Sequence, residues 1–273
     1  MNDILGSTAS APLIDAHIHV DSYPPEQQEP LLASLADSGV EAIIAVSMHL
    51  ASSQANLRLA ERWPGLVRPA FGLHPEQPLP AQAELDLLFD WMDKHIEQMV
   101  AVGEVGLPYY SRLETLRSGA SFDHAPYIAL LERFIQFARK HDKPIVLHAV
   151  YEDADIACDL LERHSVTQAH FHWFKGSAAT AERMARNGYY VSFTPDLLYE
   201  EEIRRLARQY PSNQIMAETD GPWPFEDAFT GQQTHPRMTA DVIRAYSKLT
   251  QQDETAVRLE FYENTRRFYS LSK

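Results

Sequence analysis

The chain has 273 residues, a hydrophobic fraction of 45% and a net charge of −14 at pH 7. At this length, an ordinary hydrophobic fraction is typical of a globular protein that buries a core without crosslinks. The basic residues are scattered rather than gathered into a tract, which excludes tight binding to long polyanions by counterion release. Cys158 is the single cysteine, so an intramolecular disulfide is excluded and a reducing compartment is favoured.

Neither a secretory signal nor a membrane span is predicted. Residues 1–11 are polar and lack the basic start and the apolar core of a signal peptide. No apolar run approaches the roughly 20 residues that a membrane span needs. We therefore expect a soluble, cytoplasmic protein without a membrane partner.

Apolar runs alternate with amphipathic segments along the chain, which predicts strands alternating with helices. The strands are expected at residues 13–20, 40–47, 67–74, 100–107, 144–150, 168–174, 189–195 and 214–220. The helices are expected at residues 27–38, 52–63, 83–97, 124–141, 152–163, 178–187, 200–209, 239–249 and 253–269. Residues 109–123 and 221–236 are predicted to be loops, of which the first is in a position to cover the site.

This alternation predicts an α/β fold, a (β/α)8 TIM barrel whose parallel strands are covered on both sides. An open doubly wound sheet is the alternative. No glycine-rich G-x-G-x-x-G loop follows the first strand, which weakens the nucleotide-cofactor version of that alternative. No repeat, low-complexity segment or linker divides the chain, so we expect residues 1–273 to form a single domain.

His17 and His19 end the first predicted strand. Because alternate residues of a strand point to the same face, both imidazoles are expected on one side, where a metal ion can share them. In barrels of this kind the reactive groups collect at the carboxyl ends of the strands. Seven imidazoles and carboxylates fall at or near such ends: His17, His19, His74, Glu104, His148, His172 and Asp220.

Buried charged or imidazole groups cost several kcal/mol unless they are paired or coordinated, and two divalent cations would offset that cost. Imidazoles combined with carboxylates suit zinc, manganese, iron or cobalt better than calcium or magnesium. We expect two divalent metal ions, and their identity among Zn, Mn, Fe, Co and Mg stays open. Three further groups, Asp15, His170 and Glu218, lie two positions before predicted ligands, which suits support of those ligands and barrel packing equally.

Six motifs in order resemble those of the TatD family of metal-dependent hydrolases, in the amidohydrolase-like superfamily. They are Asp15-Ala-His-Ile-His19, Gly72-Leu-His-Pro75, Gly103-Glu-Val-Gly-Leu107, Lys143-Pro-Ile-Val-Leu-His148, His172-Trp-Phe-Lys-Gly-Ser177 and Glu218-Thr-Asp-Gly-Pro-Trp223. The resemblance implies a (β/α)8 fold, divalent metals and phosphodiester hydrolysis, typically as a deoxyribonuclease. By motif position it implies His17, His19 and Asp220 on one metal, His148 and His172 on the other, Glu104 as a bridge and His74 facing the substrate.

The chain departs from the family pattern beside these motifs. Pro108 stands where the family commonly has Asp, Ala149-Val150 where it often has Ser-Arg, and Trp173 where it usually has Cys. Loss of that Arg removes a natural phosphate contact. The aromatic groups Trp173, Trp223 and Tyr109-Tyr110 suit either a rim that stacks on bases or ordinary packing.

The leading hypothesis is a two-metal phosphodiesterase or deoxyribonuclease in which a metal-activated water is the nucleophile. Glu104 is assigned to holding the metals, Asp220 to taking a proton from the water, and His74 to stabilising phosphate oxygens. The acidic surface favours a small or end-bound nucleic-acid substrate. The alternatives are a lactone, amide or ester hydrolase on the same barrel and a metal-binding protein without catalysis. The natural substrate and the oligomeric state stay open.

Overall fold

A computed structural model of the chain describes residues 11–271. Eight parallel strands form one sheet in chain order, which confirms the predicted (β/α)8 TIM barrel. The strands are β1 (Leu13–Ile18), β2 (Val40–Ala45), β3 (Val67–Phe71), β4 (Ala101–Gly106), β5 (Ile145–His148), β6 (Ala169–Phe171), β7 (Tyr190–Phe193) and β8 (Ile215–Ala217). Every strand lies inside its predicted span and ends earlier than predicted, so several predicted site residues lie just beyond the strands.

The helices surround this sheet, and all nine predicted helices are present. They are α1 (Pro25–Ser34), α2 (Leu50–Arg62), α3 (Gln82–Lys94), α5 (Ala125–His141), α6 (Glu152–Arg163), α7 (Ala178–Arg186), α8 (Glu201–Gln209), α9 (Thr239–Thr250) and α10 (Glu254–Phe268), together with α4 (Tyr109–Arg117). Within residues 11–271, no helix has both the length and the apolar character that crossing a membrane requires.

Helix α4 corrects a prediction, because residues 109–123 were expected to form a loop. The helix buries none of its residues, so its sequence lacks the apolar period of 3.6 residues that reveals an amphipathic helix. The other predicted loop, residues 221–236, is irregular apart from short 3-10 turns, as expected.

Register shifts in two strands aim side chains at the carboxyl end of the barrel. One extra residue enters β1 before Ile18, and another enters β4 before Val105. An extra residue reverses the alternation of inward and outward side chains. Ala16 therefore packs inside the barrel and the next residue, His17, also points inward. The extra residue in β4 turns the side chain of Glu104 inward in the same way.

Apolar side chains fill the amino end of the barrel, and the residues at the end of α10 close it. Ala16, Ala70 and Ala101 lie in one buried cluster with Phe268 and Tyr269. Small side chains on the strands leave room for the rings of Phe268, which ends α10, and Tyr269, which follows it. The carboxyl end is left for polar groups.

Gly106 allows β4 to approach β5 beside His148. A Cβ atom on Gly106 would lie 1.9 Å from the backbone oxygen of His148, which accepts a hydrogen bond from Leu107. We expect Gly106→Ala to lower the free energy of unfolding of chelator-treated protein by about 3 kcal/mol, measured by urea denaturation, because neither backbone can yield.

The control is Gly119→Ala, where a Cβ meets nothing within 4 Å but φ is +82°. That change is expected to cost about 1 kcal/mol through the left-handed conformation alone. Equal costs for the two variants would show that β4 and β5 are not held as closely as described.

Candidate metal centre

The structure brings all seven predicted side chains together at the carboxyl end of the barrel. Glu104 lies within β4 and His148 ends β5, while His19 and His172 directly follow β1 and β6. The other three are His17 near the end of β1, and His74 and Asp220, each three residues beyond its strand. The side chains of His17, Glu104 and His172 are buried, and the other four are about one-tenth exposed.

The carboxylate of Glu104 lies at the centre, and its two oxygens face different groups. Its Oε2 is 3.2 Å from His17 Nε2 and 3.0 Å from His19 Nε2. Its Oε1 is 2.7 Å from His172 Nε2 and 3.0 Å from His148 Nδ1. One buried carboxylate therefore divides the imidazoles into two sets.

His74 joins the second set, since its Nε2 lies 3.3 Å from Glu104 Oε1. Asp220 joins the first, with Oδ1 at 3.3 Å from His17 Nε2 and 3.5 Å from His19 Nε2. The first set contains the residues predicted for one metal and the second set those predicted for the other, and that assignment stays a prediction. His74 lies beside the second set, where ligand and substrate-facing roles both fit.

Hydrogen bonds between the end of β1 and the residues after β8 hold Asp220 in place. Its amide donates to the carbonyl of His17 at 2.9 Å, and the amide of His19 donates to Gly221 at 2.8 Å. Asp15 accepts from the amide and the hydroxyl of Thr219 at 2.9 and 2.5 Å. Asp220 has φ +50°, a left-handed conformation that costs free energy and persists only where neighbours enforce it. The sequence left Asp15 between support and packing, and the structure shows that it supports this segment.

The polar atoms at the centre fit a metal site. Within the described part of the chain, buried atoms without a hydrogen-bond partner include His17 Nε2, Glu104 Oε2 and Asp220 Oδ1. These atoms approach one another to 3.2 and 3.3 Å without hydrogen-bond geometry. Buried polar atoms in proteins are normally satisfied, and borderline divalent cations prefer imidazole and carboxylate ligands. The residues present therefore suit divalent cations.

The charges of these groups also favour a bound divalent cation. Burial raises the pKa of Glu104, but the imidazole of His172 and others around it hold that pKa well below its usual value. Burial and the nearby His172 lower the pKa of His17, but the carboxylates of Glu104 and Asp220 outweigh them. The net result raises the pKa of His17 to about 9. Ionised carboxylates among imidazoles attract a divalent cation.

Glu76 is a site residue that the sequence analysis missed. Its Oε1 lies 3.3 Å from His148 Nε2, and its two oxygens accept hydrogen bonds of 2.7 Å from the amides of Tyr110 and Ser111. These amides begin α4, whose N-cap residue, Pro108, supplies no side-chain cap. Burial raises the pKa of Glu76, but its hydrogen bonds lower it to about 2. The one available signal was its position directly after the Gly72–Pro75 motif.

Since Glu76 caps α4, we expect Glu76→Ala to cost about 1 kcal/mol of unfolding free energy and to speed amide hydrogen exchange in residues 109–117. The control is Glu114→Ala, which removes an exposed carboxylate from the same helix and is expected to change stability by less than about 0.5 kcal/mol. Unchanged exchange in α4 after Glu76→Ala would refute the capping role.

Aromatic rings flank the mouth of the site on two sides. Trp173 lies 5.8 Å from Trp223 and 5.8 Å from Phe225 between ring centroids, and Trp223 is 57% exposed. On the other side Tyr110 is 48% exposed and lies 6.0 Å from the ring of His148. Exposed rings on both sides can stack on a planar group of a substrate.

Known proteins are similar to this chain in sequence and architecture. A family profile described as "TatD related DNase" matches residues 14–270. A protein of Haemophilus influenzae, named an uncharacterized metal-dependent hydrolase, is 37% identical over 259 residues, which cover 95% of this chain and 100% of that protein. Human deoxyribonuclease TATDN3 is 27% identical over 222 residues, which cover 78% of this chain and 79% of that protein.

The crystal structure of YjjV, a TatD homologue from Escherichia coli K12, superimposes with a TM-score of 0.84 and 25% identity, covering 96% of this chain and 99% of that one. The family match extends over nearly all of the barrel, including the strand ends that carry the seven site residues. The chain therefore belongs to the TatD family of metal-dependent hydrolases.

Proposed function

We propose that this hydrolase uses two divalent cations to cleave phosphodiester bonds in short nucleic acids or at nucleic-acid ends. The observation that carries the proposal is the division of ligands by Glu104, whose Oε2 faces His17 and His19 and whose Oε1 faces His148 and His172. A carboxylate that serves two sets of imidazoles suits a bridge between two ions.

Bound cations would stabilise charge on phosphate oxygens and lower the pKa of a water molecule. Glu104 would hold both ion positions at a fixed separation. Oδ1 of Asp220 would complete the first set of ligands. Its Oδ2 would orient the attacking water and accept its proton. His74, about one-tenth exposed at the edge of the second set, would donate a hydrogen bond to a phosphate oxygen.

The charges at the mouth favour a short substrate. Exposed carboxylates stand on the connections that follow β7 and β8, including Glu200, Glu226 and Asp227. The guanidinium of Arg112 forms ion pairs with Glu152 and Asp153 at 3.0 and 2.8 Å, which leaves it less able to bind a phosphate. Long polyanions would be repelled by this acidic rim, while the flanking rings suit a base near a strand end.

One observation favours a second candidate, the hydrolysis of an uncharged lactone, amide or ester. Pro108 and Val150 are buried beside the site and stand two residues beyond the paired Gly106 and His148. The positions at which the family often has a charged pair are therefore apolar here, and this suits a substrate without a phosphate.

The decisive experiment combines a metal count with parallel assays. We expect chelated protein reloaded with Mn²⁺ or Zn²⁺ to retain two ions per chain by mass spectrometry of the metal. It should then hydrolyse bis-p-nitrophenyl phosphate and single-stranded DNA, and leave a lactone panel intact. Turnover of lactones alone would replace the proposal by the second candidate.

Substrate length supplies a separate prediction. Because the rim is acidic, linear single-stranded oligonucleotides should be degraded from their ends, and circular single-stranded DNA of the same composition should persist. Gel electrophoresis of both under identical conditions provides the measurement. Equal cleavage of circles and linear strands would contradict an end-bound substrate.

Asp220→Asn should lower kcat by about 100-fold to 10,000-fold, because an amide cannot accept the proton of the attacking water. Circular dichroism should show an unchanged fold. Asp227→Asn is the matched control, since Asp227 lies in the same connection, is exposed and also has positive φ. Full activity in Asp220→Asn would refute the assigned role.

A further inference from the structure

A line of buried polar side chains crosses the barrel from the amino end to the metal centre. Tyr269, which follows α10, lies with its hydroxyl 2.8 Å from His170 Nδ1. His170 Nε2 is 2.6 Å from Ser192 Oγ, and Ser192 Oγ is 2.5 Å from Glu218 Oε2. All four residues are at most 2% exposed. The line joins β6, β7, the residue that directly follows β8 and the residue that follows α10.

The proton count gives this line a direction when Glu218 is ionised. Ser192 has a single hydroxyl proton, and a carboxylate can only accept, so Ser192 donates to Glu218. His170 must then donate from Nε2 to Ser192, which leaves Nδ1 of the neutral ring as an acceptor for the Tyr269 hydroxyl. That hydroxyl also lies 3.1 Å from the carbonyl oxygen of Ala16, so its one proton is shared between two acceptors. His170 and Ser192 therefore both donate toward Glu218, and Tyr269 contacts both the line and the backbone of β1.

The line ends beside a predicted ligand. Glu218 Oε1 accepts a hydrogen bond of 2.8 Å from the amide of Trp173 and lies 3.8 Å from His172 Nδ1. The other nitrogen of that ring, Nε2, faces Glu104 at 2.7 Å. Both oxygens of Glu218 are thus engaged within the protein, and its carboxylate faces the side of His172 that points away from the centre.

Packing alone gives no reason for polar groups at these positions. The surrounding interior is built from alanine, valine and methionine side chains, such as Ala16, Val146 and Met216. An apolar replacement would avoid the cost of removing four polar groups from water, while a fully connected polar line fixes one arrangement of its members. A fixed arrangement is useful where a ligand must be held in one orientation.

We propose that Tyr269, His170 and Ser192 hold Glu218 in place as a positioning residue. The contact of 3.8 Å is longer than a hydrogen bond, so the charge of Glu218 acts on His172 electrostatically: it favours a proton on Nδ1 and leaves Nε2 free for a metal. Metal-binding histidines generally donate their second N–H group to such a partner. The proposal rests on the proposed metal centre and is independent of the substrate. It links the residues that close the amino end of the barrel to the affinity for metal at the other end.

The test is a titration of chelated protein with Co²⁺ alone, followed by visible absorption. We expect Glu218→Gln to raise the dissociation constant about 10-fold to 100-fold. Ser192→Ala should raise the dissociation constant by a smaller factor, because it acts through Glu218. Tyr269→Phe should have the smallest effect, about 3-fold, because it lies farthest along the line. The absorption bands of bound Co²⁺ should shift in the same order.

The matched control is Tyr210→Phe. Tyr210 is a buried tyrosine whose hydroxyl donates to the carbonyl of Tyr189 at 2.8 Å, away from this line. It should lower the Tm by an amount comparable to Tyr269→Phe and leave the Co²⁺ dissociation constant unchanged. Ser192→Ala removes one oxygen atom and leaves the contact between Tyr269 and Ala16 in place, so it decides the test if a larger change prevents folding.

The outcomes separate this proposal from the metal centre itself. If Tyr269→Phe and the other line variants bind Co²⁺ as tightly as Tyr210→Phe, the positioning role is overturned and the metal centre stands. If the unmutated protein binds no Co²⁺, both are overturned.

Discussion

The carboxylate of Glu104, buried among imidazoles, organises the carboxyl end of this barrel. An ionised group in such a position is stable only when positive charge surrounds it. Glu104 meets this requirement by facing His17 and His19 with one oxygen and His148 and His172 with the other. The register shifts in β1 and β4 are what aim His17 and Glu104 at each other.

Three more carboxylates support this arrangement, each on a different side. Asp15 binds the segment before Asp220 through Thr219. Glu76 contacts His148 and caps α4. Glu218 lies beside His172 at the end of the polar line. These three carboxylates connect the site to the junction between β1 and β8, to α4 at the mouth, and to the amino end of the barrel.

The sequence predicts what depends on local pattern and fails where contacts are long-range. Continuous apolar strands reveal the barrel, and imidazoles at strand ends reveal the centre, because both features repeat along the chain. Helix α4 escapes prediction since its stability comes from Glu76, 33 to 41 positions earlier, rather than from its own apolar face. The partners of His170 are equally hidden, because Tyr269 is 99 positions away.

The most direct measurement is anomalous scattering from crystals of the protein loaded with Mn²⁺ or Zn²⁺. We expect two peaks, one between Glu104 and the pair His17 and His19, the other between Glu104 and the pair His148 and His172. A single peak confined to one pair, or ions bound away from Glu104, would contradict it.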